Sequence, residues 1–242
     1  MAERKKIAAI VTVYNAPSHA DMIASKFSTG FPTDDGVLEP QVDVVSMYMD
    51  QVHWGDLGMG LAREHDIEVY PSIRAALTLT PPSATDTWPT ASDWQDGELA
   101  VDGVLLIAEH GDYAANERDR RLYPRKPMFE QICAVMAASG RSVPVFSDKH
   151  LSYNWTDALW MYERARELDV PFMAGSSLPL VGREPELEHE MDTPIDEALV
   201  IGFINAYHTG LDSYGFHGLE ALQCMVERRS GGETGIAAVQ CL

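Results

Sequence analysis

Short apolar runs alternate with helix-length segments through most of this sequence. Such runs span residues 7–14, 42–49, 102–108 and 143–146, and a shorter one follows at 170–175. A largely continuous apolar run is typical of a strand that is buried on both faces of a parallel sheet. Strand and helix units that repeat at this spacing predict a parallel, doubly wound sheet. We therefore expect an α/β fold of the Rossmann-like type.

The composition changes after Val181, where an acidic link that contains proline begins. We therefore expect a Rossmann-like domain over residues 1–181 and the start of a short α+β domain over residues 182–242. In this second part the pattern predicts a strand, a helix and a final strand, at residues 197–207, 218–228 and 234–242. An apolar strand at the end, with no polar tail, is typical of a truncated or deliberately minimal version of a longer two-domain protein.

Charge and cysteine content limit the classes of partner. The net charge is −19, from 37 acidic and 18 basic residues, and this balance disfavours nucleic acids and anionic membranes because both would be repelled. No stretch is long and apolar enough to cross a bilayer. The three cysteines show no CxxC spacing, which favours reduced thiols in the cytoplasm over a zinc or disulfide framework. Cys133 lies on an apolar helix face, where packing is the more common role.

Ionisable residues follow two of the apolar runs. Glu109 and His110 come directly after residues 102–108, and Asp148 and Lys149 come after residues 143–146. Because the carboxyl ends of parallel strands meet at one edge of a sheet, we expect these side chains to lie close together. Titratable groups that gather at such an edge indicate a functional site.

The first and second runs carry mixed signals for a dinucleotide site. Ser18 fits the N-cap of a first helix, whose amino end could hold a dinucleotide. Asp50 ends the second run, where an acidic residue can bind the ribose hydroxyls, although a plain turn aspartate is about equally supported. The turn after the first run contains no glycine, whereas the GxGxxG fingerprint uses glycines to bring the backbone close to the pyrophosphate.

Residues 140–150 and 170–175 resemble the Gfo/Idh/MocA family, named after glucose-fructose oxidoreductase, inositol dehydrogenase and MocA. Members of that family have a strand that ends in Glu-Lys-Pro, then a helix and a short strand that ends in glycine. Lys149 falls on the motif lysine, Asp148 on the glutamate and His150 on the proline. The resemblance implies that Lys149 lies near the nicotinamide of NAD or NADP and the substrate hydroxyl.

A second stretch, residues 212–222, resembles the aspartate and histidine pair of the same family. His217 fits the histidine that exchanges a proton with the substrate hydroxyl, while Asp212 lies one residue before the family position. The resemblance implies an oxidoreductase of sugar-like or cyclitol hydroxyls, with catalytic residues Lys149, His217 and Asp212. The residues then expected at the cofactor are Ser18, Asp50, Glu109, His110 and Asp148.

Two other functions remain open from the sequence. One is a lyase, isomerase or hydrolase that needs no nicotinamide and acts on a polyhydroxylated substrate, with a divalent metal held among carboxylates and imidazoles. The residues available for it are Glu109, His110, Asp112, Asp148, His150 and His217. The other is a non-catalytic protein that binds a ligand or a partner. In this last case an open apolar edge strand in the second domain favours association with another copy, and we expect a homo-oligomer.

Overall fold

A computed structural model of the chain describes residues 4–80, 97–202 and 214–240. The chain divides into two compact units. The first consists of Met1–Asn116 and Arg121–Gly175, and the second consists of Glu117–Arg120 and Ser176–Leu242.

The secondary structure alternates between strands and helices as far as Gly175. The strands are β1 Lys5–Val11, β2 Phe31–Thr33, β3 Gly36–Leu38, β4 Val42–Met49, β5 Glu68–Val69, β6 Gly103–Ile107, β7 Val145–Asp148 and β8 Phe172–Gly175. The helices are α1 His19–Ile23, α2 Lys26–Thr29, α3 Gly58–Glu64, α4 Ile73–Thr78, α5 Arg125–Ser139, α6 Trp155–Glu167 and α7 Phe216–Val226.

Six strands form one parallel sheet in the order β5-β4-β1-β6-β7-β8. From β1 the chain moves outward through β4 to β5, then returns past β1 and continues through β6 and β7 to β8. Counted along the chain, this is the strand order 3-2-1-4-5-6 of dinucleotide-binding α/β folds. The expected Rossmann-like fold is confirmed. The order reverses between β1 and β6, and ligands bind at such a switch point in open α/β sheets.

Both faces of this sheet are buried, which explains the continuous apolar runs. On β1, Ala8 and Ile10 face a cluster that includes α4, α5 and α6, whereas Ala9 and Val11 face a second cluster that includes α1 and α3. All four side chains are fully buried. A strand between two helical layers needs an apolar residue at every position, not at every second one.

Three helix ends carry the residues that the sequence favours there, serine at an N-cap and glycine at a C-cap. Ser18 Oγ accepts a hydrogen bond from the Asp21 N–H at the start of α1, and Ser72 Oγ accepts one from the Ala75 N–H at the start of α4. At the end of α5, Gly140 has a φ of 58°, a left-handed conformation that favours glycine.

Two strand predictions in the second unit are wrong over the described residues. Residues 197–202 and 234–240 contain no strand, and the remainder of both predicted strands lies outside the described ranges. Apolar side chains in these segments are exposed, as in Leu199 (86%) and Ile236 (82%). A strand forms only where a neighbouring backbone accepts its hydrogen bonds, and the described part of this unit contains no strand that could do so. The helix predicted for 218–228 is confirmed as α7.

The structure contains a small hairpin that the sequence does not predict. The glycine, proline and aspartate residues between positions 30 and 40 predict a polar loop, but β2 and β3 pair there as an antiparallel hairpin. Residues 80–97, which include Trp88 and Trp94, are rich in proline, serine, threonine and aspartate, and this composition predicts an irregular loop. The segment falls almost entirely outside the described residues.

Two glycines of α3 give a test of the packing below the sheet edge. A Cβ added to Gly58 would lie 2.7 Å from Met49 Sδ and 2.8 Å from Tyr14 Cβ, whereas one added to Gly60 would meet nothing within 4 Å. We expect Gly58→Ala to lower the free energy of unfolding by about 1–3 kcal/mol through overpacking. Gly60→Ala should raise it by about 0.5–1 kcal/mol through helix propensity. Urea denaturation of both variants checks this, and shifts of the same sign would contradict the packing.

Candidate functional site

Three titratable side chains from separate elements meet at the carboxyl edge of the sheet. Asp148 ends β7 and is only 2% exposed. Its Oδ2 lies 2.5 Å from Nδ1 of His19, the first residue of α1. The His19 ring packs edge-to-face on the His110 ring, with 4.8 Å between the ring centroids. The expected meeting of ionisable residues is therefore present for His110 and Asp148, and His19 joins them.

The residues that follow β6 and β7 have an unusual backbone. His110 has a φ of 67° and Lys149 a φ of 70°, both in the left-handed region that few non-glycine residues adopt. Lys149 is 6% exposed, and its main-chain N–H donates to the Gly175 carbonyl at 2.9 Å. Residues held in such conformations cluster at functional sites, where the surrounding structure maintains them.

His110 is held as a neutral imidazole. Its pKa is lowered mainly by burial, and the electrostatic interactions with His19 and Lys149 lower it further. Glu109 and Asp148 act in the opposite direction on this pKa, but less than burial does. Since an unperturbed histidine titrates near pH 6.5, His110 is uncharged at neutral pH.

A buried ion pair lies next to this cluster. Arg125 opens α5 and is 1% exposed, and its Nη2 donates to Glu109 Oε2. The guanidinium also lies 5.2 Å from the ring centroid of Tyr123, within range of a cation–π contact. Thr12 Oγ1 donates to the Glu109 carbonyl at 2.7 Å and so ties the end of β1 to the end of β6. The Glu109 carboxylate is therefore paired with Arg125 inside the fold.

Asp50 follows β4 at the same edge of the sheet. Its two carboxylate oxygens accept hydrogen bonds from Tyr48 (2.8 Å) and Tyr113 (2.6 Å). Burial, followed by the hydrogen bond to Asp50, raises the pKa of both tyrosines, so both remain protonated donors. A carboxylate oxygen has two acceptor positions, and Asp50 can therefore accept further hydrogen bonds from a ligand.

A cavity of about 650 Å³ opens at the switch point. Three loops line it: residues 13 and 15–18 after β1, residues 53–55 after β4, and His110 with Gly111 after β6. Small-molecule sites usually have volumes of about 300–1,000 Å³. Trp54 lies at this cavity with its side chain fully exposed, which leaves an aromatic face open to a ligand.

Polar groups in the turn after β1 form hydrogen bonds with one another. The Asn15 N–H donates to Ser18 Oγ at 3.3 Å, the Ser18 N–H donates to the Asn15 carbonyl at 2.5 Å, and Pro17 has no N–H. The His19 N–H donates to His110 Nδ1 at 3.4 Å. α1 has only five residues. This turn therefore lacks the open row of amides with which a glycine-rich loop binds a pyrophosphate.

In the second unit, His217 lies beside a carboxylate that the sequence analysis did not select. His217 Nδ1 is 3.6 Å from Glu220 Oε2, one turn along α7. The Ser176 N–H donates to Glu220 Oε1 at 2.9 Å, and the Ser176 hydroxyl donates to Oε2. Asp212 lies outside the described residues. Lys149 belongs to the first unit and His217 to the second.

Other predictions about chemistry can be compared with the structure. Cys133 is 1% exposed, and burial raises the pKa of its thiol to about 12, which confirms the packing role. Among the described residues, no group of three or more His, Cys, Asp or Glu side chains is arranged to hold a metal ion. Within the same ranges, no helix combines the length and apolar character needed to cross a membrane.

Sequence reasoning missed His19 and Arg125. His19 follows the N-cap serine of the first helix directly, so its place at the carboxyl edge of the sheet was available from the sequence. Arg125 ends a charged stretch, residues 118–125, whose composition predicts a connector on the surface. No local signal distinguishes a buried arginine from an exposed one there.

No family model and no curated protein match this chain. Solved structures with a similar fold include GenD2 from gentamicin A biosynthesis in complex with NAD (TM-score 0.41, 20% identity, 72% of this chain and 35% of that one). A second is biliverdin reductase from Synechocystis in complex with biliverdin and NADP+ (TM-score 0.40, 15% identity, 73% of this chain and 39% of that one). A third is apo scyllo-inositol dehydrogenase from Lactobacillus casei (TM-score 0.40, 12% identity, 72% of this chain and 37% of that one). The matches thus span only 35–39% of the length of these structures, and their likeness concerns the fold.

Proposed function

We propose that this chain is the nucleotide-binding part of an oxidoreductase that uses NAD or NADP. The reaction is hydride transfer between the nicotinamide and a hydroxyl carbon of a sugar-like or cyclitol substrate. The observation that carries the proposal is the 3-2-1-4-5-6 strand order with a cavity of about 650 Å³ at its switch point. The family resemblance of the stretches around Lys149 and His217 supports the same reaction.

The described residues fit parts of a dinucleotide. Asp50 follows β4, at the position where a carboxylate binds ribose hydroxyls. Each of its oxygens accepts one hydrogen bond from a tyrosine and has a second acceptor position for a ligand. The exposed ring of Trp54 offers a stacking surface at the cavity. The N–H groups of Asn15, Ser18 and His19 already donate hydrogen bonds, so side chains at the cavity would have to contribute to holding the phosphates. The bound nicotinamide would supply the hydride chemistry.

The remaining residues would handle the substrate oxygen and its proton. In this proposal the Lys149 ammonium polarises the oxygen, since a nearby positive charge lowers the pKa of a hydroxyl. His217 exchanges the proton, because an imidazole titrates near neutral pH. Asp212 pairs with His217 as in the family motif. The division into domains 1–181 and 182–242, a homo-oligomeric state and a cytoplasmic location belong to the same proposal.

Titration with NADH and NADPH, followed by nicotinamide fluorescence and thermal unfolding, tests the proposal. We expect saturable binding and a raised melting temperature, because a ligand present at 100 times its Kd stabilises the folded state by about 2.7 kcal/mol. NADH should bind more tightly than NADPH, since the Asp50 carboxylate repels a 2′-phosphate. No binding at millimolar concentrations of either cofactor would refute the proposal.

A matched pair of variants tests the part that Asp50 plays. Asp50→Asn should weaken NADH binding and reduce the preference for NADH over NADPH. Asp34→Asn removes the same charge from the exposed turn between β2 and β3 and should change neither. Equal effects of the two variants would show that only the net charge matters.

The engaged turn after β1 favours a second candidate function. With the N–H groups of Asn15, Ser18 and His19 already hydrogen-bonded and a cluster of imidazoles and carboxylates present, the cavity could serve a lyase, isomerase or hydrolase that needs no nicotinamide. If the titration shows no cofactor binding, a screen of polyhydroxylated substrates with and without Mg²⁺ becomes the test. Turnover in that screen would establish this function instead.

A further inference from the structure

Two histidines line the switch-point cavity, His53 and His110, and His110 is the one that also contacts the cluster formed by His19 and Asp148. It lines the cavity together with Gly111, while its neighbour Glu109 is paired with Arg125 inside the fold. The left-handed backbone at His110 is a conformation that histidine adopts more readily than most residues. Its location and backbone single it out as a residue that contacts whatever occupies the cavity.

The hydrogen bond from α1 determines which ring nitrogen of His110 carries the proton. Nδ1 accepts from the His19 main-chain N–H at 3.4 Å, so a neutral ring has its proton on Nε2. Among the described residues, no hydrogen bond to Nε2 is formed within the protein. Nε2–H is therefore the donor that His110 can offer to a ligand.

His19 is itself fixed by a carboxylate from another strand. The 2.5 Å contact between its Nδ1 and Asp148 Oδ2 holds the start of α1 against the end of β7. Asp148 is buried, so this contact is shielded from water. The result is that the His19 N–H stays directed at His110 Nδ1.

The charges around His110 favour the neutral ring. The titratable groups that face it are His19 from α1, Lys149 after β7, Glu109 beside it and Asp148 at the end of β7. Burial and the electrostatic interactions with His19 and Lys149 lower the pKa of His110, and those with Glu109 and Asp148 raise it by less than burial lowers it. A protonated ring would also turn Nδ1 into a donor that faces the donor N–H of His19.

We propose that His110 donates a hydrogen bond from Nε2–H to a hydroxyl oxygen of the small molecule bound in this cavity, and that His19 and Asp148 are positioning residues for it. A neutral donor suits an uncharged hydroxyl, which the ribose of a dinucleotide and a polyol substrate both carry. This inference rests on the proposed function for the identity of the small molecule.

The first test examines the ring without any ligand. The ¹⁵N shifts of the His110 imidazole should show a neutral Nε2–H ring at pH 7. In Asp148→Asn a measurable fraction of Nδ1–H ring should appear, because His19 loses its anchor, and this readout would not respond to a merely structural role. A cationic or Nδ1–H ring in the wild-type protein overturns the inference.

The second test measures binding by calorimetry with NADH and with myo-inositol as separate probes. Asparagine tolerates the left-handed backbone but cannot place a donor at the Nε2 position. His110→Asn should therefore weaken the binding of the probe that accepts this hydrogen bond by about three- to tenfold. His110→Gln restores an N–H and should recover most of the affinity. The control is His65→Asn, at the end of α3 and outside the cavity lining, which should leave both affinities unchanged.

The outcomes separate the inference from the proposed function. If NADH binding is weakened in His110→Asn, the hydroxyl belongs to the cofactor, and if only myo-inositol binding is weakened, it belongs to the substrate. Unchanged affinity for both probes overturns this inference alone. If the wild-type protein does not bind NADH but binds myo-inositol through His110, the proposed function fails alone, and if it binds neither probe, both fail.

Discussion

Arg125→Met is expected to lower the free energy of unfolding by about 3–5 kcal/mol, the usual cost of removing one partner from a buried ion pair. Glu109 would then keep a charge inside the fold, at 7% exposure, with no cation to pair with. Methionine fills much of the volume of the arginine stem, so the loss reports mainly on charge and not on a cavity. Urea denaturation, analysed for its midpoint and slope, gives the measurement.

The double variant Arg125→Met with Glu109→Gln separates pairing from packing. Removing both charges should recover most of the lost stability, since a buried pair replaced as a whole costs little. Lys126→Met is the matched control, because Lys126 pairs with Glu130 at the surface one turn apart. Exposed pairs of that kind contribute about 0.3–0.5 kcal/mol. A double variant no more stable than Arg125→Met would mean that the guanidinium acts through contacts other than Glu109.

Phe129→Ala is expected to cost about 3–5 kcal/mol of unfolding free energy, as for other large aromatic side chains removed from a core. Phe129 is fully buried on α5 and stacks on Phe172 of β8, with 4.7 Å between ring centroids and 23° between ring planes. Its removal would open a cavity between the helix and the last strand of the sheet. Thermal and urea denaturation both report the loss.

Two further substitutions define what the Phe129 result means. Phe129→Leu keeps most of the volume and should cost less than about 1.5 kcal/mol. Tyr162→Ala removes an aromatic ring from α6 that is 52% exposed, and its cost should stay below about 1 kcal/mol. Similar losses for Phe129→Ala and Tyr162→Ala would contradict the location of the core.

The fold was predictable because its determinants are local. Each buried strand of the sheet is an apolar run, and the caps Ser18, Ser72 and Gly140 mark helix ends in the sequence itself. The strands expected at 197–207 and 234–242 show the limit of this reasoning. Their apolar residues fit a strand, but a strand also needs a neighbouring backbone, which no local pattern supplies.

The site was predictable only as a location. The sequence indicated which edge of the sheet carries Glu109, His110, Asp148 and Lys149, because loops after parallel strands share one edge. It did not indicate that His19 contacts Asp148, since these residues are separated by 129 positions. Such a contact depends on strand order, which brings β7 to the second position from β1.

The short first helix has a consequence for how this site can evolve. A long helix after β1 attracts anions with its dipole and its backbone amides, which every sequence possesses. Here α1 has five residues, and the N–H groups of Asn15, Ser18 and His19 already donate hydrogen bonds, so side chains have a larger share in binding a ligand at this turn. Backbone groups cannot be exchanged by mutation, but imidazoles and carboxylates can. Ligand preference at this edge should therefore change with single substitutions and with pH. The ligand preference of a glycine-rich loop, which binds through its backbone, depends less on either.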